Sequence, residues 1–454
     1  MAFGPDEIKR RHAIREQRRQ QQKREAMMLR LVIAVMVLAV AALGVYMIKR
    51  GGDGSGETVQ TPQSPTVTQT APSAGTEAPT DTPTVSPTDA PTEGPTEPMG
   101  PTTVIHLAAA GDLNINDATV AAGRVNNGYD YTDTFMDVAS VFAEADLAVL
   151  NFEGSLVGAP YGTKTQSAPK ELAQALRAMG VDLVQMANSC SVTHGVAGLA
   201  TSLENIRAAG LEPLGAYGSA EEFQHAKGYT MVEVQGIRIA FVAFTKGVGG
   251  LSLPAGSEDC VNLLYTDYAT TYQKIDKDGI TAILSSVSAE KPDLTIALVH
   301  WGSEYKDLVT ENQENIAELM QENGVDVILG THSHMLHQID YDPVTGQMTA
   351  FSLGDFFGTA DRAGTEYSII LDLEITRDNA SGDTRVTSYS YTPIYNLTVG
   401  DAEEGSRRVV RLREAMGAYQ ENALGKVSES VYKDMEHAME RIADRITPKK
   451  TEEE

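Results

Sequence analysis

The chain has 454 residues, with 62 Asp/Glu against 36 Lys/Arg, a net charge of −26 and two cysteines. That balance excludes nucleic acid as a ligand for the bulk of the chain, because phosphates would be repelled rather than gathered. Cys190 and Cys260 are too few to make a disulfide scaffold. They read as one extracytoplasmic pair or as two buried small apolar side chains.

The charge is divided unevenly. Residues 1–50 hold eleven Lys/Arg and four Asp/Glu, or +7, which leaves −33 of the total −26 for the rest. An asymmetry of this size marks parts that live in different surroundings. The basic segment 1–30 leads into an uncharged run, Leu31 to Ile48, LVIAVMVLAVAALGVYMI. At about 1.5 Å per residue this run spans roughly 27 Å, close to a bilayer core, and it is predicted to cross the membrane once as a helix. A signal peptide fits less well, since no small-x-small cleavage site precedes a mature start. The Lys/Arg excess before the run places 1–30 in the cytosol and the remainder outside the cell. The lipid bilayer is thus an expected partner through residues 31–48. Residues 51–103 hold fourteen Thr and ten Pro and almost no large apolar side chain. Such a stretch cannot offset its ordering entropy by burial, so a disordered extracellular linker is expected.

From Val104 to Asn396 short apolar runs alternate with helical patterns. VIHLAAA (104–110), LAVLNF (147–152), DLVQMAN (182–188), IRIAFVAF (237–244), LTIALVH (294–300) and VDVILG (325–330) read as buried strands. ELAQALRAMG (171–180), LATSLENIRAAG (199–210) and NIAELMQENG (315–324) have 3.6-residue periodicity and end in Gly, a helix stop. The alternation implies an α/β domain with largely parallel pairing. The runs at 348–356, 367–376 and 384–394 alternate as antiparallel strands do. Residues 402–446 read as charged amphipathic helix, and 397–454 as a helical tail.

In open α/β sheets, ligands sit at the carboxyl ends of strands. Polar residues collect there: Asp112 and Asn114, Asn151 and Glu153, Asn188, Cys190 and His194, then His300, Trp301 and Glu304, and last His332, His334 and His337. A lone Asp after a strand is commonly a turn or cap residue. Trp301 alone would suit a core, and Glu304 a solvated helix start. Two imidazoles one residue apart on a Gly-led turn are harder to explain that way. Carboxylate and imidazole together suit Mn, Fe or Zn, whereas carboxylates alone suit Mg or Ca.

The blocks AAAGDLNIN, LAVLNFEGSL, GVDLVQMAN, GVAGLATSLENIRAAGLEPLGA, ALVHWGSEY, VDVILGTHSHMLHQID and FSLGDFF, in this order, resemble the bacterial capsule-synthesis CapA family. That family, also called the poly-γ-glutamate capsule biosynthesis family, is related to calcineurin-like metallophosphoesterases. The resemblance runs from about Val104 to Asn396 and implies a four-layer αββα sandwich. It implies a metal site at Asp112, Glu153, His300, His332 and His334, with Asp112, Glu153 and His300 also catalytic. Asn151, Asn188, His194, Trp301, Glu304 and Asp355 would contact substrate. One block departs from the pattern: where the family reads ANNHALDYG, this chain reads ANSCSVTHG, so Ser189 and Cys190 replace the second Asn and the His. Asp355 replaces an Asn, and Asp112 is not part of a D-x-H. In the family's relatives that Asn binds metal and that His serves the leaving group, and loss of a positioned proton donor typically costs about 10²–10⁴ in rate.

Three functions follow as expectations. The first is biosynthesis of an extracellular anionic polymer or glycan, poly-γ-glutamate or a relative of it, alongside other capsule-synthesis membrane proteins. The second is a metal-dependent hydrolase of an envelope ester, amide or phosphoester. The third is a non-catalytic binding module on a stalk. A domain of charge −33 repels a polyanion unless metal or a local basic patch bridges them.

Overall fold

The computed structural model describes residues 100–358, 361–400 and 406–447. The expected cytosolic segment, membrane helix and nearly all of the linker lie outside these residues. Among the described residues no helix is long and apolar enough to cross a membrane.

Two mixed sheets form the fold. In the first, the central strand Thr102–Asn114 pairs in parallel with Leu147–Glu153, which continues in parallel to Leu183–Gln185 and Glu212–Leu214. On its other side it pairs antiparallel with Tyr367–Asp378, followed by Thr384–Val399 and Ser406–Arg411. The second sheet runs Ile339–Tyr341, Met348–Ala350, Val327–Thr331, Leu294–His300, Ile237–Thr245, Tyr229–Val234. Its three long central strands are parallel.

Side-chain alternation stacks the layers. Ile239, Phe241, Ala243, Ile296 and Leu298 share one core with the first sheet. Their neighbours Ala240, Val242, Phe244, Ala297 and Val299 share another with Ile280 and Leu284 of helix Lys277–Glu290 and Ile316 and Met320 of helix Glu311–Glu322. Successive strand residues face opposite ways, so strands apolar at every position must be covered on both faces. Each fully buried Ile or Phe contributes about 2 kcal/mol.

The expected strand 348–356 is two strands in different sheets. Met348–Ala350 pairs in parallel with Val327–Leu329 of the second sheet, and Asp355–Phe357 pairs in parallel with Asp112 and Leu113 of the first. Gly354, at φ 74°, turns the chain between the two sheets. The central strand begins at Thr102, inside the expected linker, and the expected strand 182–188 narrows to Leu183–Gln185. The expected domain limit at Asn396 falls within the strand Thr384–Val399. Residues 406–411, expected as helix, are a further strand whose Val409 and Val410 are buried. The helix Glu429–Ile446 buries Met435, Ala438, Ile442 and Ile446, one stripe at helical spacing. Its Arg445 donates to the Leu336 carbonyl at 3.2 Å and to Asp307 Oδ1 at 2.8 Å.

Candidate metal centre

The carboxyl ends of the parallel strands in both sheets meet at one place. Backbone crowding sets the register there. A Cβ on Gly111 would lie 1.8 Å from the Gly354 carbonyl oxygen, and one on Gly330 would lie 2.1 Å from that of Phe351. Only glycine permits either approach. With Gly111 against Gly354, the Asp112 amide donates to the Gly354 carbonyl at 2.9 Å, and Asp112 pairs with both Asn151 and Asp355.

Asn151 donates to Asp112 Oδ1 at 2.6 Å, and the His332 amide donates to Asp112 Oδ2 at 3.0 Å. Asn188 in turn donates to Asn151 Oδ1 at 3.0 Å and to the Phe152 carbonyl at 2.8 Å. Glu153 Oε1 accepts from Ser189 at 2.5 Å and lies 3.1 Å from His300 Nε2. The other His300 nitrogen, Nδ1, lies 3.1 Å from Thr245 Oγ1, which fixes the ring. His334 Nδ1 stands 2.8 Å from Asp355 Oδ1 and 3.8 Å from Asp112 Oδ2, and Asn114 donates to Asp355 Oδ1 at 2.8 Å. Tyr305 stacks on His334 at 5.1 Å, with the Arg362 guanidinium 4.0 Å above Tyr305. His332, His334 and Tyr305 all have left-handed φ, at 86°, 60° and 58°. Such residues cost about 1–3 kcal/mol each and persist where the surroundings over-determine them, commonly at functional sites.

Three buried carboxylates so close together shape one another's protonation. Burial, reinforced by Glu153, pushes Asp112 up to about 8. Burial alone would also raise Glu153, but His300, then His334 and His332, hold it far below the carboxylate range. Burial, with His300 beside it, keeps His332 well below the usual imidazole range. Burial works the same way on His334, but Asp355, Glu153 and Asp112 outweigh it and raise that ring well above its ordinary value. Burial raises Asp355 despite His334.

Two overlapping groups could hold an ion: Glu153, His300 and His332, and Asp112, Glu153 and His334, each with candidate ligand atoms within 4.8 Å of one another. Glu153 belongs to both. In the first group, Glu153 Oε2 and His332 Nδ1 are buried with no hydrogen-bond partner among the described residues. Orphaned buried polar atoms are rare because each costs about 1–3 kcal/mol, so this donor set fits a divalent ion.

Two cavities flank the cluster. One, of about 310 Å³, is lined by Glu153, His334, Asp355, Tyr305 and Arg362, and the other, of about 590 Å³, by His332, Lys246 and Tyr272. Ser189 and Glu304 line both. The structure thus brings Asp112, Glu153, His300, His332, His334 and Asp355 together, with Glu304 on the rim and Asn151 and Asn188 as braces. It does not bring in Trp301 or His194. Trp301 is fully buried, donates to the Phe351 carbonyl at 2.9 Å and stacks on Phe351, because it faces the helix side of its strand. His194 is exposed ahead of helix Gly195–Ala208, with Nε2 2.6 Å from the Thr165 carbonyl. His337 turns to the Lys306 carbonyl, 2.7 Å away. Cys190 and Cys260 are both free thiols, and burial pushes the Cys190 thiol well up. Lys246, Tyr305 and Arg362 escaped the sequence reading. Lys246 follows a strand directly, the same signal that marked Asp112, whereas no pattern marks Arg362.

Residues 106–359 match the family of the bacterial capsule synthesis protein PGA_cap. The chain is similar to the capsule biosynthesis protein CapA of Bacillus anthracis, at 26% identity over 47% of this chain and 49% of that protein. It is similar to the PGA biosynthesis protein CapA of Bacillus subtilis (strain 168), at 25% identity over 56% of this chain and 63% of that one. The chain therefore spans about half to under two thirds of those relatives. Among solved structures, a phosphatase from Mycoplasma pneumoniae aligns at 14% identity and TM-score 0.38, over 65% of this chain and 94% of that one. Since the match of residues 106–359 covers more than half of the chain, this protein belongs to the PGA_cap family of bacterial capsule synthesis proteins.

Proposed function

We propose that this chain serves capsule or related envelope polymer biosynthesis from outside the membrane, anchored by residues 31–48, and that its cleft is a metal-dependent hydrolytic centre. The substrate class is an ester, amide or phosphoester of an anionic polymer or glycan, and other capsule-synthesis membrane proteins are its partners. One observation carries the reading: Glu153, His300 and His332 converge in a buried cluster with two ligand atoms left unpartnered. Helices outside two stacked sheets also suit the αββα sandwich of the metallophosphoesterase-like fold.

Glu153, His300 and His332 would hold one ion, with Asp112 and His334 sharing Glu153 for a second. Carboxylate and imidazole suit Mn, Zn or Fe. Such an ion supplies Lewis-acid polarisation of a substrate oxygen. The chain's own groups do the positioning. Thr245 orients His300, Asn151 and Asn188 fix Asp112, and Ser189 holds the Glu153 carboxylate in place. Arg362 and Lys246 put local positive charge on either side of the cluster, which answers the repulsion of a polyanion by an acidic domain.

The test is the metal content of the whole chain after loading with Mn, Zn or Fe, beside a His332→Ala, His334→Ala double variant. One or two tightly held ions, lost in the variant, support the reading, and no bound metal in either protein sinks it. The non-catalytic binding reading draws on Ser189 and Cys190, which place no readily ionised proton donor in that block. It predicts ligand binding that Glu153→Gln weakens, with no turnover in wild type.

A further inference from the structure

We infer that the turn Lys246–Gly250, on the His332 side of the cluster, is a subsite for one anionic group, carboxylate or phosphate, of a ligand lying in the cleft. Lys246 follows the strand Ile237–Thr245, and its amide donates to the His300 carbonyl at 2.8 Å, so its backbone is fixed beside the metal centre. Its ammonium donates to the Gly302 carbonyl at 2.6 Å and sits 4.5 Å from the centre of the Tyr272 ring. Both contacts hold the ammonium in place without neutralising its charge. The carboxylate that faces it is Glu304, on the rim shared with the first cavity.

The rest of the turn supplies amides. Gly249 and Gly250 are successive left-handed residues, at φ 68° and 75°. A Cβ on Gly247 would lie 2.6 Å from the Tyr268 carbonyl oxygen, and one on Gly249 would lie 2.9 Å from that of Ser189. The turn is therefore seated between two other loops by contacts only glycine allows. Gly249 and Gly250 line the cavity, and among the described residues none accepts a hydrogen bond from their amides. Consecutive free amides in a glycine turn are a recurrent anion concavity, and a lysine at its edge supplies the charge. His332 opens onto the same cavity with a buried, unpartnered ring nitrogen, so a ligand anchored at Lys246 continues toward the metal cluster.

This subsite extends the cleft reading above, but the two fail separately. The whole chain, metal-loaded and chelator-treated, is titrated by calorimetry with inorganic phosphate and with glutarate. Lys246→Met removes the charge, Lys246→Gln removes it while keeping a donor, and Lys246→Arg keeps it. Loss of the charge is expected to weaken anion binding about tenfold or more, as for a desolvated charge-assisted contact. The Arg variant stays within about threefold, a difference of under 1 kcal/mol. Metal content after loading should not fall, and the melting temperature should drop only by what the lost ammonium bond to the Gly302 carbonyl contributes. Anion affinity equal to wild type in folded Lys246→Met or Lys246→Gln overturns the proposal. Lys246-dependent binding in chelator-treated protein upholds it even if no metal binds, and the tighter of the two probes names the group.

Discussion

Glu153 and His332 each keep a buried atom without a partner among the described residues, whereas Asp355 takes both Asn114 and His334 at 2.8 Å, and Asp112 accepts from Asn151 and the His332 amide. The two halves of the centre share Glu153, yet only the first also holds an imidazole nitrogen left without a partner. An ion in the first half would give its two orphaned atoms a partner. Each half must give up one imidazole–carboxylate contact to take an ion, His300 with Glu153 at 3.1 Å in the first and His334 with Asp355 at 2.8 Å in the second, but only the first has orphaned atoms to set against that loss. An ion should therefore fill the first half at lower concentration than the second.

The sharpest way to break that contrast is to change one residue of each half, a candidate ligand in the first and the carboxylate paired with His334 in the second. His332→Ala is expected to weaken binding of the tighter ion by more than about 100-fold, since even supporting groups around a metal ligand cost 10–100-fold. Asp355→Asn should cost that ion less than about tenfold, below the range for supporting groups. Equilibrium dialysis measures both, and equal losses would mean that the halves are one site. Arg445→Ala tests the loops that carry Tyr305 and His334. Removing two hydrogen bonds from a charged donor should lower stability by about 1–3 kcal/mol in urea unfolding. A smaller contrast lies in the backbone: at φ 60°, His334→Gly should be about 1 kcal/mol more stable than His334→Ala, although both lose the ligand.

The smallest effect compares the buried imidazole–carboxylate pair with an exposed one. His106 Nδ1 lies 3.2 Å from Asp372 Oδ1 at the surface, and that hydrogen bond raises the His106 ring above its usual range. A raised imidazole stabilises the fold below its ordinary value near 6.5, and the benefit disappears as pH rises through the folded value. His106→Gln should thus lower the melting temperature slightly near pH 5.5 and not near pH 8.5, by little because solvent screens the pair. A larger loss at high pH would contradict the assignment.

Much of this was legible from residue order. Strands apolar at every position gave the parallel core, and the rule that ligands gather at strand carboxyl ends led to Asp112, Glu153, His300 and the His332–His334 turn. Trp301 shows where reading by neighbourhood fails. It adjoins His300 in sequence, but a strand turns successive residues to opposite faces, and the parity of Ala297 and Val299 already assigns Trp301 to the helix side. Lys246 obeys the strand-end rule, yet no motif in the sequence encloses it. The split of 348–356 between two sheets depends on Gly354 turning against Leu336 and Ser368, 18 positions before it and 14 after, and no local pattern encodes that.

The clasp made by Arg445 has a consequence for how the molecule comes into being. Its bonds to Leu336 and Asp307 close loops of 109 and 138 residues. A chain emerging from the ribosome completes every strand of both sheets before helix Glu429–Ile446 exists. The two bonds from Arg445 to the segments bearing Tyr305 and His334 are therefore among the last contacts that can form. A nascent chain stopped short of Arg445 would carry every described strand but lack both of these bonds. The candidate cluster thus gains this last outside support only once Arg445 has been made.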